Sequence, residues 1–372
     1  MGVRKLTQEQ MAFVALSTVP GMKHAALHVL RGAFGSCEET LAAAGGGHAC
    51  PQGVRPQLWE QIRRYARPEL PERVADKLER LGIVAVGQDQ AEYPAYLLDY
   101  PDPPLTLFCK GDLSLLQAPF RMTMVGTRIP TRYGKRAARM LAADLARLDV
   151  VIVSGLALGI DAMSHAGALD VGGKTIAVLG CGVDVAYPAE NAGIYREIEA
   201  RGLLVSELVP GSPPLAKHFP VRNRIMSGLG QGVIVVEAGA RSGTNHTVTS
   251  ALDQGKEVLA VPGEITSAMS DGPNRLIREG CPAITCADDV LESMGWSLAG
   301  ESPAQEAGPA QPEVALTETQ RHIVEVLREG EAGFEEISVC ADLPAAQLAS
   351  ELTQLQLMGV MTTLPGKVYA LE

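Results

Sequence analysis

Apolar residues recur at three-to-four spacing from Leu6 to about Leu81. Met11, Phe13, Val14 and Leu16 form one run and Ala26, Leu27, Val29 and Leu30 another, with Val19-Pro20-Gly21 as the break between them. Gly45-Gly46-Gly47-His48 reads as a loop, and Trp59, Ile62 and Tyr65 mark a further amphipathic turn. This period predicts a small all-helical domain over residues 1–82. From residue 83 to 297 the period changes. Short β-branched runs alternate with helix-length segments: Thr123–Val125 before a helix over Arg132–Leu148, Val150–Val153 before a helix over Ile160–Leu169, then Thr175–Leu179, Leu203–Val205, Val233–Val236 and Val258–Val261. These runs are apolar on both faces, as strands covered by helices on both sides must be. The alternation predicts an α/β fold, a doubly wound, mostly parallel sheet.

Residues 298–314, rich in Ala, Pro, Gly and Glu, have no apolar period and read as a linker. Thr317 and Gln320 then have the spacing of a capping box, so a helix is expected through Leu327. A second starts near Pro344, carries Leu348, Leu352 and Leu355 on one stripe, and stops at Gly359. Val360–Leu364 and Lys367–Leu371 flank Pro365-Gly366 as a β-hairpin. Helices followed by a hairpin predict a winged helix over residues 315–372.

Composition narrows the class. The chain has 372 residues, 46% hydrophobic and 20% charged, which fits folded domains rather than disorder. No apolar run approaches the length of a membrane span, and the polar start is unlike a signal peptide, so an intracellular, cytoplasmic protein is expected. The seven cysteines are scattered, with no Cys-x-x-Cys pair, and predict neither a disulfide framework nor a metal site.

Charge placement is more informative. The net charge is −11, yet Arg121, Arg128, Arg132, Lys135, Arg136 and Arg139 form a stretch without Asp or Glu, as do Lys217, Arg222 and Arg224. Both stretches follow strand ends, where open α/β sheets hold their ligands, so an anionic ligand is expected. Gly126 permits close backbone approach, while Thr127 and Arg128 offer a hydroxyl and a charged fork for phosphate. Thr131 and Tyr133 begin a helix whose positive dipole end is expected to point the same way. Phe219 beside Arg222, Asn223 and Arg224 combines an aromatic face with guanidiniums, the combination that grips single strands. Ser242-Gly243 opens another helix with free N–H donors. Neither a phosphate-loop motif nor a dinucleotide fingerprint is present, and no catalytic set or cofactor site emerges.

These motifs, in order, resemble the DNA-processing protein A family (DprA, also called Smf). The resemblance rests on Tyr93-Pro94, Asp102-Pro103-Pro104, Gly126–Gly134, Ser154–Asp161, Ala177–Gly180 with Tyr187-Pro188, Phe219–Arg224, Glu237 with Ser242-Gly243, and Pro262-Gly263. It implies an extended Rossmann domain that binds single-stranded DNA, forms a homodimer and loads a RecA-type recombinase during natural transformation, without catalysis. It also implies a sterile-alpha-motif-like N-terminal domain, and DNA contacts at Gly126, Thr127, Arg128, Lys217, Phe219, Arg222, Asn223 and Arg224. Leu158 stands where many members carry Arg, and Asn245-His246 replaces an apolar pair.

A rival class is a Rossmann-type nucleoside monophosphate glycosidase, or phosphoribohydrolase, with Glu237 as acid and Gly243-Thr244 as phosphate cradle. Against it, Ala240-Arg241-Ser242 stands where a doubled glycine is expected. A transcription regulator acting through the winged helix is opposed by the nine carboxylates of residues 315–372, set against Arg321, Arg328 and Lys367. That count points the module toward a protein-contact or regulatory role.

Overall fold

In a computed structural model, the structure describes residues 6–100, 102–240, 242–297, 317–328, 332–341, 343–358, 360–364 and 368–371. The N-terminal segment folds as α1 Gln8–Ser17, α2 His24–Phe34, α3 Cys37–Gly45, α4 Pro56–Tyr65 and α5 Leu70–Leu81. Thr7 and Gln10 close a capping box at the head of α1, each backbone N–H donating to the other's side chain at 3.0 and 3.2 Å. Phe13, Leu16, Leu30, Trp59 and Ile62 fill the helical core. The apolar stripes do not end there. Val14 of α1 and Leu78 of α5 join a second core with Ala85, Phe108, Ala177 and Leu204 of the sheet. The helices therefore pack on one face of the sheet, and Met1–Leu298 form one compact unit.

The sheet comprises β1 Val84–Gly87, β2 Thr106–Gly111, β3 Arg121–Val125, β4 Val151–Ser154, β5 Thr175–Val178, β6 Leu203–Ser206, β7 Gly232–Val235 and β8 Glu257–Ala260. Their order is β1-β2-β6-β5-β4-β3-β7-β8. From β6 to β8 every pairing is parallel, whereas β1 and β2 form an antiparallel edge on β6. The connecting helices are α6 Arg132–Arg147, α7 Ile160–Asp170, α8 Ala192–Arg201, α9 His218–Leu229, α10 Thr244–Asp253, α11 Asp271–Arg278 and α12 Ala287–Met294. Met122, Ile152 and Ile234 pack against Leu141 and Leu145 of α6, while Val153, Val178 and Val235 turn to Ile225 and Leu229 of α9. Burial on both faces explains why these strands read as continuous apolar runs. The chain winds outward from β3 through β4, β5 and β6, then returns to β3's other side as β7. At that reversal the loops beyond the carboxyl ends of the strands diverge and leave a crevice.

The second unit spans Ala299–Glu372. It contains α13 Glu318–Arg328, β9 Ala332–Gly333, α14 Phe334–Cys340, α15 Ala345–Leu357, β10 Met361–Leu364 and β11 Val368–Leu371. The Thr317–Gln320 capping box is formed, with bonds of 3.0 and 3.2 Å. Strand order β10-β11-β9 gives the wing, over a core of Ile323, Leu327, Ile337, Leu348, Leu352 and Leu355. Pro344 is the cap of α15 rather than its first residue. The expected linker over 298–314, the stop at Gly359 and the turn at Pro365-Gly366 lie outside the described residues. Among the described residues no helix is long and apolar enough to cross a membrane, and no group of three metal-binding side chains is present. The seven cysteines are free.

Candidate nucleic-acid interface

The crevice at the carboxyl ends of β3, β4, β5 and β7 is an open cleft of about 680 Å³. Gly126, Thr127 and Arg128 form one wall, Phe219, Arg222 and Asn223 of α9 another, and Ser242, Gly243 and Thr244 at the head of α10 a third. Gly126 is required by crowding: a Cβ there would meet the Ile160 side chain and the Glu237 carbonyl. Thr127 donates its N–H to the Glu237 carbonyl at 2.7 Å and accepts through its own carbonyl from Ile160 N–H at 3.2 Å. Its hydroxyl accepts from Ile129 N–H at 3.2 Å. The tripeptide is thus stitched to β7 and α7, and the exposed Arg128 side chain extends into the cleft with its guanidinium 5.6 Å from the Phe219 ring centre. Gly180 makes room for that ring, since a Cβ would overlap it.

Beneath this surface lies a buried charged layer. Arg222 is 6% exposed; its Nη1 donates to the Gly155 carbonyl at 2.8 Å and to the Val178 carbonyl, and its Nε to Asn223 Oδ1 at 3.1 Å. The buried Asp161 carboxylate accepts from Gly155 N–H at 3.2 Å and Ala157 N–H at 3.4 Å. Burial pushes the Asp161 carboxyl up, opposed by the Arg222 charge. Gly155 has no room for a side chain because Arg222 lies against it. Arg222 therefore ties the loop after β4 and the end of β5 to α9, and Asp161 is oriented to the loop after β4.

Several expectations about single residues are corrected. Arg224 turns out of the cleft and pairs with Glu207 at 2.5 and 2.9 Å, where it borders a different, smaller pocket with Tyr100 and Asp102. Arg121 sits at the opposite end of β3, its Nε donating to the Leu229 carbonyl at 2.8 Å. Arg139 pairs with Asp170 at 2.6 Å. Thr131 caps α6 by accepting from Gly134 N–H at 3.1 Å. Its N–H donates to Glu237 Oε2 at 2.9 Å and its hydroxyl to Glu237 Oε1. Glu237, 1% exposed, thereby occupies the positive end of α6 that the sequence offered to a ligand, and it is absent from the cleft lining. Tyr133 Oη donates to the Pro262 carbonyl at 2.6 Å. Lys217 is exposed at the start of α9, between Ala216 and Phe219, which line the cleft. Gly243 is the cap of α10, and the Ser242 hydroxyl just before it accepts from Thr244 N–H at 3.2 Å.

Tyr187 and His246 line the cleft but were not among the expected contacts. His246 lies in the first turn of α10, a position legible once Ser242-Gly243 is read as the helix start. Tyr187 follows the glycine-containing loop after β5, with its ring centre 5.8 Å from that of Phe219. Its signals were an aromatic past the carboxyl end of a strand and the Tyr187-Pro188 pair of the family resemblance.

Comparison with known proteins places the chain in a family. A family model described as DNA recombination-mediator protein A matches residues 85–295, and a DprA winged helix domain model matches residues 307–367. The chain is 43% identical to DNA processing protein DprA of Bacillus subtilis, over 61% of this chain and 76% of that protein. It is 38% identical to Protein Smf of Escherichia coli, over 78% of each. The solved structure of DNA processing protein A from Streptococcus pneumoniae superposes with a TM-score of 0.65 at 32% identity, covering 79% of this chain and all (100%) of that one. A Helicobacter pylori DNA processing protein A, whose structural description concerns its single-stranded DNA binding mode, superposes with a TM-score of 0.51 at 31% identity over 57% of this chain and 95% of that one. With the sheet order, the Gly126–Arg128 wall and the winged helix all in place, the chain belongs to the DNA processing protein A (DprA/Smf) family.

Proposed function

We propose that this protein binds single-stranded DNA in the cleft and, as a homodimer in the cytoplasm, protects incoming strands and loads a RecA-type recombinase on them during natural transformation. The observation that carries the reading is the exposed Arg128 guanidinium over the Phe219 ring, at the crevice of the sheet reversal and facing the α10 N-terminus. Such a set offers charge-assisted bonds to phosphate and an aromatic face to an unpaired base. The relative described by its single-stranded DNA binding mode supports the ligand, and the recombination-mediator description of the family supports the loading step. The role is one of binding without catalysis. Glu237, the acid a glycosidase would need, has both oxygens bonded to Thr131 and does not reach the cleft.

Binding to a labelled oligothymidylate, followed by anisotropy across a salt series, tests the site. Each phosphate contact adds about 0.7 to the slope of log K against log salt. Arg128→Ala is expected to weaken binding and flatten the slope by about that amount; unchanged affinity and slope would overturn the assignment. Recombinase filament formation on coated single strands, with wild type and Arg128→Ala, tests the loading step.

A further inference from the structure

The loop after β5 is anchored on both sides of a tyrosine that it leaves exposed. Tyr195 Oη donates to the Val183 carbonyl at 2.7 Å, and Gly182 N–H donates to the Ser212 carbonyl at 2.9 Å. Just beyond Tyr187, the buried Asn191 amide donates to the Leu156 and Ala157 carbonyls at 2.9 and 3.1 Å. Both flanks of Tyr187 are therefore anchored by hydrogen bonds, yet the residue is 42% exposed and lines the cleft. Phe219 is the more enclosed ring, with the Arg128 and Arg222 guanidiniums 5.6 and 6.0 Å from its centre and Gly180 against its edge. The two rings are tilted by 46° with centres 5.8 Å apart, which is direct contact, so no base fits between them. The open surface is on Tyr187, the more exposed of the two. A ring ordered before binding loses little entropy when a flat partner settles on it.

From this geometry we propose that Tyr187 is a second stacking platform, taking an unpaired nucleobase of the strand whose backbone Arg128 engages. The inference rests on the single-strand reading of the cleft and adds to it a residue that grips the base rather than the phosphate. Two consequences separate these roles. A base grip depends on the aromatic face and not on counterion release, so its loss lowers affinity without changing the salt slope. It also has nothing to hold on a strand without bases.

The test uses the full chain with Tyr187→Ala, Tyr187→Leu, Tyr187→Phe and Arg128→Ala, titrated against an oligothymidylate and an abasic oligonucleotide of the same length. Tyr187→Ala and Tyr187→Leu are expected to bind the oligothymidylate about 5- to 150-fold more weakly with an unchanged salt slope, and Tyr187→Phe to stay near wild type. On the abasic strand all three are expected to match wild type. Equal losses on both probes would mean that Tyr187 only shapes the loop, and would overturn the proposal. So would wild-type binding by Tyr187→Ala while Arg128→Ala is weakened, an outcome that leaves the cleft reading intact. If Arg128→Ala is also unaffected, the cleft reading falls with it. Should Tyr187→Ala fail to fold, the contrast between Tyr187→Leu and Tyr187→Phe decides.

Discussion

Arg222 and Arg224 stand two positions apart on α9, and the helix turns them to different tasks. Arg222 is buried in the cleft wall, while Arg224 meets Glu207, whose carboxyl is pushed up by burial and held back by the guanidinium. In Arg224→Ala the half-buried Glu207 loses its counter-charge, and a cost of about 1–2 kcal/mol is expected in urea unfolding. Its salt slope on single strands should equal that of wild type, because Arg224 is outside the cleft; a flattened slope would return it to the site. His165 shows what one buried side chain does to pH dependence. Its Nδ1 lies 2.6 Å from Thr175 Oγ1, and that hydroxyl donates to the Ile152 carbonyl, so Nδ1 carries the proton and the buried Nε2 has no partner. Burial first, and then the Arg222 charge, lowers its pKa from 6.5 to about 3. The unfolded chain binds the proton that the folded chain refuses. Stability from this group is complete above pH 6.5 and is lost at about 1.4 kcal/mol per pH unit as pH falls toward about 3. His165→Gln should show a correspondingly shallower acid limb in unfolding measured between pH 6.5 and 5. An equal slope in both proteins would count against a neutral buried imidazole. Nothing in the order of residues distinguishes these side chains from their exposed neighbours.

At the scale of elements, α6 shows how a correct helix assignment carried a wrong electrostatic conclusion. Its boundaries follow from Thr131 as cap and from the apolar stripe of Leu141 and Leu145, and Arg132–Arg147 differs from the expected span by one residue. Its positive end, however, is taken by Glu237 from the loop after β7, 106 positions away in sequence. The carboxylate lies so close to the first turn that Gly134 could not accept a Cβ. Ala is ordinarily better than Gly in a helix by about 0.5–1 kcal/mol. Gly134→Ala is expected to reverse that sign and lower the melting temperature, because the methyl group must displace Glu237. A stabilised Gly134→Ala protein would refute the contact. The edge pair β1 and β2 went unread for a related reason. A short antiparallel edge lacks the strand-helix rhythm that made the six parallel strands visible.

For the whole molecule, the net charge is −11, and the exposed Arg128 lines the cleft against that acidic average. The winged helix shares the acidity. α15 carries no Lys or Arg, and Gln347, Ser350, Thr353 and Gln356 are exposed along it. Duplex affinity comes mainly from neutralising phosphates. Removal of residues 299–372 is therefore expected to leave binding to double-stranded DNA at physiological salt unchanged, as an electrophoretic shift would show; a clear loss would make this module a duplex reader. The sequence by itself determined the helical segment, the parallel sheet, the winged helix and the loop carrying Arg128, because periodicity, caps and strand-end glycines are local. It could not determine which arginines line the cleft, which helix end is taken by a carboxylate, or that Tyr187 borders Phe219. Those depend on carboxylates and rings brought in from distant strands, and a charge pairs with what lies nearest in space, whatever its distance along the chain.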